Sequence, residues 1–171
     1  SGIAISGLAS GNGTWQYSID SGANWVDVGT VSASSALLLK STDKVRFVPD
    51  GKNGTSASMT YHAWDQTGSG SAGSKVSVAS TGADTAFSTA TDTASITVTA
   101  VNDAPTVAGV PATVTVTEDS ASGLDLSAIT FTDLDNGATL TVTFSAGAGT
   151  LAATDGTGVT VGGTGTATLT L

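Results

Sequence analysis

Apolar and polar residues alternate in short runs along this chain, and no window keeps a helical period. The run "TASITVTAV" (93–101) shows the pattern, which Gly, Asn and Asp interrupt again and again. A period of two places successive side chains on opposite faces of an extended segment, so the pattern selects half-buried β-strands joined by turns. Thr and Val favour the strands, and Gly and Ser favour the turns between them. With 39% hydrophobic and only 11% charged residues, the expected class is all-β with small side chains and a thin core.

Strands are expected near Ile3–Leu8, Thr14–Ile19, Trp25–Val28, Ala36–Lys40, Lys44–Val48, Ser58–Trp64, Lys75–Ala79 and Ala94–Val101. Gln66–Ser74 and Thr81–Thr91, rich in small residues, read as loops. After "NDAP" (Asn102–Pro105) the pattern restarts, with strands expected near Thr113–Thr117, Ser127–Thr132, Thr139–Ser145, Val159–Val161 and Thr166–Leu171. The restart divides the chain into 1–104 and 105–171. The first part holds all three Trp, both Tyr and the one His, whereas the second has two Phe as its only aromatics. About 67 residues bury little apolar area, so the second domain reads as incomplete. The chain begins and stops in strand-like text, as a piece of a longer protein would.

The net charge of −9 comes from 14 acidic and five basic residues, and all the acidic ones but Glu118 are Asp. Such a chain lacks the basic surface that neutralises phosphates, which argues against a nucleic-acid partner. No stretch approaches the ~20 apolar residues of a membrane helix. Cysteine is absent, so of the usual staples of small extracellular domains only metal remains. Asp is a hard oxygen ligand suited to calcium, and it is equally at home in turns.

Strand geometry places the acidic clusters. At ~3.3 Å per residue, the strand between "VPDGKNG" and "HAWDQTG" sets Asp50 and Asp65 at opposite ends of the first domain. The last strand of that domain delivers Asn102 and Asp103 to the linker, where Pro105 stiffens the exit. In the second domain a strand leads away to Glu118 and Asp119. "LSAITFTD" then returns to Asp133 and Asp135, whose D-x-D spacing aims both carboxylates to one side. Asn102, Asp103, Asp133 and Asp135 are therefore expected to converge on a calcium ion that clasps the linker, though each short motif alone also makes an ordinary turn.

The ordered set "GTWQYSIDSGANW", "SSALLL", "VRFVPD", "AWDQT" and "TAFSTATDTASITVTAVNDAP" resembles a cadherin-like module, VCBS-type, from the tandem repeats of giant bacterial RTX-type surface adhesins. "VTED", "ITFTDLDNGATLTVTFSAGAGTL" and "GTGTATLTL" resemble the adjoining repeat type, so the likeness spans nearly the whole chain. It implies Ig/cadherin-like β-sandwich domains joined end to end, with calcium at the junctions. It also implies a secreted, cell-surface location and a role in cell adhesion or biofilm formation. By position, Asn102 and Asp103 match the linker pair, and Asp133 and Asp135 match the D-x-D of the following domain. Asp65 matches an aspartate facing the preceding junction, and Glu118 matches the acidic residue facing the next. Asp50 falls where animal cadherins carry Asp-Arg-Glu, but the text here is Asp-Gly-Lys. Neighbouring repeats of the same chain are the implied partners.

"YSIDSGANW" also matches S-x-D-x-G-x-x-W, the Asp-box of sialidase propellers, across Ser18, Asp20, Gly22 and Trp25. Propellers repeat that box blade by blade, yet here it occurs once beside a single Arg. One Glu cannot form a Glu pair, and His62, on the strand "TYHAW", has no G-x-S-x-G elbow and no partners for a zinc site. The reading is non-enzymatic. Asp20 is expected to cap a hairpin turn, Gly22 to take a conformation other residues resist, and Trp25 to fold over the turn or into the sandwich. Two alternatives stay open. One is a glycan- or protein-binding module of host or matrix with Trp15, Trp25 or Trp64 as a stacking platform. The other is self-association through strand edges into a filament.

Overall fold

A computed structural model describes residues 1–68, 70–135, 137 and 139–171; Ser69, within the expected Gln66–Ser74 loop, Asn136, within the Asp-Asn-Gly motif, and Ala138 lie outside them. The described residues are all-β, with no helix and with antiparallel strand pairing throughout. The chain falls into two compact units, Ser1–Asp103 and Ala104–Leu171.

Unit 1 contains β1 (Gly2–Ala9), β2 (Gly13–Ser18), β3 (Val26–Asp27), β4 (Ala36–Lys40), β5 (Lys44–Pro49), β6 (Thr55–Trp64), β7 (Lys75–Val76) and β8 (Phe87–Val98). They form a five-stranded sheet in the order β7-β4-β1-β6-β8 and a three-stranded sheet in the order β3-β2-β5. Ile5, Leu37, Leu39 and Ala57 of the first sheet pack with Trp15 of the second and with Val28, just past β3. This arrangement is compatible with a β-sandwich. Trp15 meets Phe47 edge-to-face, their ring centroids 5.2 Å apart, and Trp15↔Phe47 is also a cross-strand pair. Such aromatic pairs add to area burial alone.

The continuous run Ala36–Leu39 is buried on both faces, as an uninterrupted apolar strand should be. Leu37 and Leu39 face the inter-sheet core. Ala36 and Leu38 face a second cluster with Ala4, Trp64 and Val78, which Val76, Ala86 and Phe87 complete. The segment after Trp64 thus returns across the outer face of the large sheet. Phe87 pairs with Trp64, and β8 begins there. The expected Thr81–Thr91 loop therefore ends at Ala86, and the small Ser, Thr and Ala residues that followed Phe87 in it are strand. Their β-pairing with the ten-residue β6 outweighs the weak local signal.

Unit 2 contains β9 (Thr106–Ala108), β10 (Thr130–Thr132), β11 (Thr143–Ser145) and β12 (Thr168–Thr170), paired as two separate two-stranded sheets, β10-β9 and β11-β12. The expected strand Thr113–Thr117 does not form. Val159 makes an isolated bridge to Gly156 in place of a strand over Val159–Val161. Val107, Val110, Val114, Val116 and Phe131 stay exposed, and Leu169 is the buried large apolar side chain of this unit among the described residues. Alternation alone does not make a strand where too little apolar surface is covered to offset the entropy of ordering.

Candidate functional site

The Asp-box closes a turn at the end of β2. Ser18, only 1% exposed, is its hub. The Ser18 hydroxyl donates to Asp20 Oδ1 (2.7 Å) and accepts the backbone N–H groups of Gly22 (2.8 Å) and Asp20 (3.4 Å). Asp20 Oδ1 also accepts the Asn24 backbone N–H (2.9 Å), and its Oδ2 accepts the Asn24 side-chain amide (2.6 Å). These donors, the Asn24 backbone N–H foremost and then the Ser18 hydroxyl, hold the Asp20 carboxyl down at about 2. Gly22 sits at φ +99° after Ser21 at φ +64°, so the turn uses two successive left-handed residues, and glycine relieves the more extreme one. Asp20 acts here as expected. The Ser18 hydroxyl, which the sequence motif contains but strand reasoning passes over, carries as many of the bonds.

Trp25 packs over that turn, near Gly22. The Arg46 guanidinium lies 4.1 Å from the centroid of its ring, a cation–π contact. Arg46 Nε donates to Gln16 Oε1 (2.8 Å), and Gln16 Nε2 donates to Asp27 Oδ1 (2.8 Å). Gln16 thereby links β5 to β3 across β2. Trp15 and Trp64 are 6% and 2% exposed, so neither presents a ring face for stacking, and Trp25 is half-buried under Arg46. Trp15 Nε1 donates to Ala9 O, while Trp64 Nε1 is buried with no hydrogen-bond partner. Nδ1 of His62 lies 2.7 Å from Ser88 O, which ties the imidazole to β8 beside a register shift.

The acidic residues expected at the junctions divide between the units. Asp50 and Asp65 flank β6 at its two ends, as strand geometry anticipates. Each carboxylate closes its own loop. Asp50 Oδ1 accepts the Lys52 and Asn53 backbone N–H groups (3.0 and 3.3 Å), and Asp65 Oδ1 accepts both the backbone N–H and the hydroxyl of Thr67 (2.7 Å each). The Lys52 N–H lowers the Asp50 pKa, and the Thr67 hydroxyl lowers that of Asp65. Asn102 and Asp103 follow β8 at the end of unit 1, and the Asn102 side-chain amide donates to Asp103 O (2.9 Å).

In unit 2 the register Thr132↔Thr106 sets Asp133 at the end where the chain enters the unit. Asp133 Oδ1 accepts the Asp135 backbone N–H (2.8 Å), and both residues are half-buried. Glu118 lies exposed in a turn with Asp119 at φ +60°. No strand leads to it, so the geometric reason for setting Glu118 at the far end of a strand falls away. Among the described residues, no three His, Asp or Glu side chains gather into a group that could hold a metal ion. The oxygens of Asn102 and Asp103 in unit 1, and separately those of Asp133 and Asp135 in unit 2, are of the hard kind that calcium takes. No helix among the described residues is long and apolar enough to cross a membrane.

No family model, curated protein or solved structure matches this chain.

Proposed function

We propose that this chain is a calcium-rigidified structural extension module of a large secreted bacterial adhesin of the cadherin-like repeat type, displayed at the cell surface. In this reading its partners are neighbouring repeats of the same chain, and its task is reach and stiffness. The observation that carries the reading is the β9–β10 register. Thr132 faces Thr106, so Asp133 stands at the entry end of unit 2, and Asp103 lies only three residues before Thr106 in the chain. Carboxylates that came together at that end would repel until a cation compensated. Calcium supplies that charge and takes six to eight oxygens at about 2.3–2.6 Å. Asn102 and Asp103 would contribute from the linker, and Asp133 and Asp135 from the following unit. Asp50, Asp65 and Glu118 would serve the same ion class at this and the outer junctions, with Asp50 and Asp65 giving up part of their loop-closing bonds.

Calcium titration of the chain, followed by thermal melting and small-angle scattering, tests the proposal. An ion that binds only the folded state must raise its stability. The expected result is a saturable rise in Tm together with a narrower distribution of interdomain distances, both reversed by chelator. If calcium leaves both stability and scattering profile unchanged, the junction reading is wrong.

The fate of the aromatic residues disfavours the glycan-platform alternative. A sugar stacks on an open ring face; two of the three indoles are in the core, and Arg46 occupies one face of the third.

A further inference from the structure

Among the described residues unit 1 has four sheet edges, and three of them carry an evident device against pairing with another chain. β3 and β7 are two residues long, and each contains a charged residue, Asp27 or Lys75. β5 is longer, but it bears Lys44 and Arg46 and ends in Pro49. Short edges, charged edges and proline are the usual means of blunting an edge.

The fourth edge is β8, whose one strand neighbour among the described residues is β6; at its start the Phe87 carbonyl accepts the Gly82 N–H (2.8 Å) and the Thr85 hydroxyl (3.2 Å). It is twelve residues long, mostly exposed, free of proline and lysine, and built from Ser, Thr, Ala and a few larger apolar residues. Its single charge is Asp92, at the middle of the strand and exposed. Asp92 Oδ1 accepts the backbone N–H of Thr93 (2.8 Å), so a side chain serves a donor that an incoming strand would otherwise take.

We propose that β8 is a self-association edge held open by Asp92, and that a second copy of this chain adds to it in antiparallel register once that charge is removed. Symmetry explains why one carboxylate suffices. Residues facing each other across an antiparallel pair share a side of the sheet. A two-fold axis perpendicular to the sheet, which alone lets the inner faces of both copies continue as one, must therefore centre on a residue. Pairing that engages the whole strand centres near its middle. Centred on Asp92, it sets two carboxylates directly opposite at about 5 Å. Centred on Thr93, it sets them diagonally at about 7–8 Å on the same face, still close enough to repel. A register centred on Ala94 sets the carboxylates four residues apart and still pairs residues 90–98, but it places each Asp92 opposite Ile96 of the other copy, an apolar neighbour for a charge. The second copy is the favoured occupant because the edge is small-residued and nearly uncharged, so an identical strand packs against it without a mismatch of size.

The test uses the 171-residue chain with Asp92→Thr and Asp92→Asn, both at an exposed position. Sedimentation velocity over a concentration series gives the mass, and amide hydrogen exchange locates any protection. Asp92→Thr removes both charge and acceptor. It should move toward twice the mass of one chain over a roughly tenfold range of concentration in which the unaltered protein stays at the mass of one chain, with slowed exchange confined to β8. Asp92→Asn, which keeps an acceptor oxygen, should fall between the two. Adding Ser95→Lys to Asp92→Thr should return the protein to the unaltered behaviour. The proposal is overturned if neither Asp92 variant associates more than the unaltered protein, or if the added protection lies outside β8. It is equally overturned if the unaltered protein already pairs through β8.

Discussion

Replacing Ser18 by Ala tests the account of the turn most directly, because one oxygen atom holds three of its bonds. The Ser18 hydroxyl accepts the Gly22 and Asp20 N–H groups and donates to the Asp20 carboxylate. The Gly22 bond, at 2.8 Å, is the strong one, and the Asp20 N–H bond, at 3.4 Å, adds little. Alanine leaves the Gly22 N–H without its partner in a half-buried turn. The cost of an unsatisfied buried donor is about 1–3 kcal/mol. Partial access of water to Gly22, and the hydroxyl that no longer has to be desolvated, bring the expected loss to about 1–2 kcal/mol. For a unit of this size that lowers Tm by roughly 5–10 °C.

All three tryptophans lie in unit 1, so their fluorescence in a urea or thermal melt reports this unit alone. The substitution has a second signature. The Ser18 hydroxyl is the second-largest influence holding the Asp20 carboxyl at about 2, after the Asn24 backbone N–H. In Ser18→Ala the midpoint of that carboxyl, followed by NMR, should move up toward its ordinary value of 3.8. A loss below about 0.5 kcal/mol, the level of an ordinary surface change, with an unmoved Asp20 midpoint, would refute the hub role of Ser18.

Other perturbations follow from the same geometry. Leu37, fully buried between the sheets, should cost about 2–5 kcal/mol when cut to alanine, measured by equilibrium urea unfolding. Lys75 Nζ donates to the carbonyls of Val28 and Thr30 at 2.7 Å each, so Lys75→Met should cost about 1 kcal/mol and loosen Val28–Thr30 in amide exchange. Because the folded-state Asp20 pKa is depressed, the stability it contributes is fully present above about 3.8 and is lost as pH falls toward about 2. Asp50 and Asp65 act with the same sign, and unfolding curves collected from pH 5 downward should show the decline. Asp103→Ala should remove most of the calcium-induced rise in Tm, measured against the same variant in chelator.

The parts of the fold legible in the sequence are those where local pattern and tertiary demand agree. "ALLLK" is uninterrupted because β4 is covered on both faces, and "GTWQYS" alternates because Trp15 and Tyr17 face the core while Gln16 faces Arg46. The Phe87–Thr91 stretch was not legible. Ser, Thr and Ala there carry no strong period, and pairing with β6 decides their conformation. Thr113–Thr117 misleads in the opposite direction, since "TVTVT" has the ideal alternation but no sheet receives it. The Asp-box was readable as a turn because its residue types and spacing define local bonds. The Arg46–Trp25 contact was not, since it depends on β2 and β5 lying side by side with Gln16 opposite Arg46.

The distribution of charge ties these observations together. Every Lys and Arg of the chain lies in unit 1, whereas unit 2 carries Glu118, Asp119, Asp125, Asp133, Asp135 and Asp155 with no basic residue. Backbone and hydroxyl donors meet carboxylates in both units, Asp125, Asp133 and Asp155 of unit 2 included, and unit 1 has cations besides. Asp20, Asp50 and Asp65 each accept bonds from neighbouring backbone or hydroxyl groups. Unit 2 has no cation of its own to offset six negative charges, and its exposed valines show how little apolar burial works against that repulsion. Its stability should thus respond to cations far more than that of unit 1. Monovalent salt would only screen the charges over a Debye length of about 10 Å at 0.1 M, whereas a divalent ion held by Asp133 and Asp135 would neutralise them where they stand. Comparing amide exchange of unit 2 in calcium with that in sodium chloride of equal ionic strength separates the two effects. If equal ionic strength gives equal protection, screening suffices, and the case for a bound ion at Asp133 and Asp135 fails.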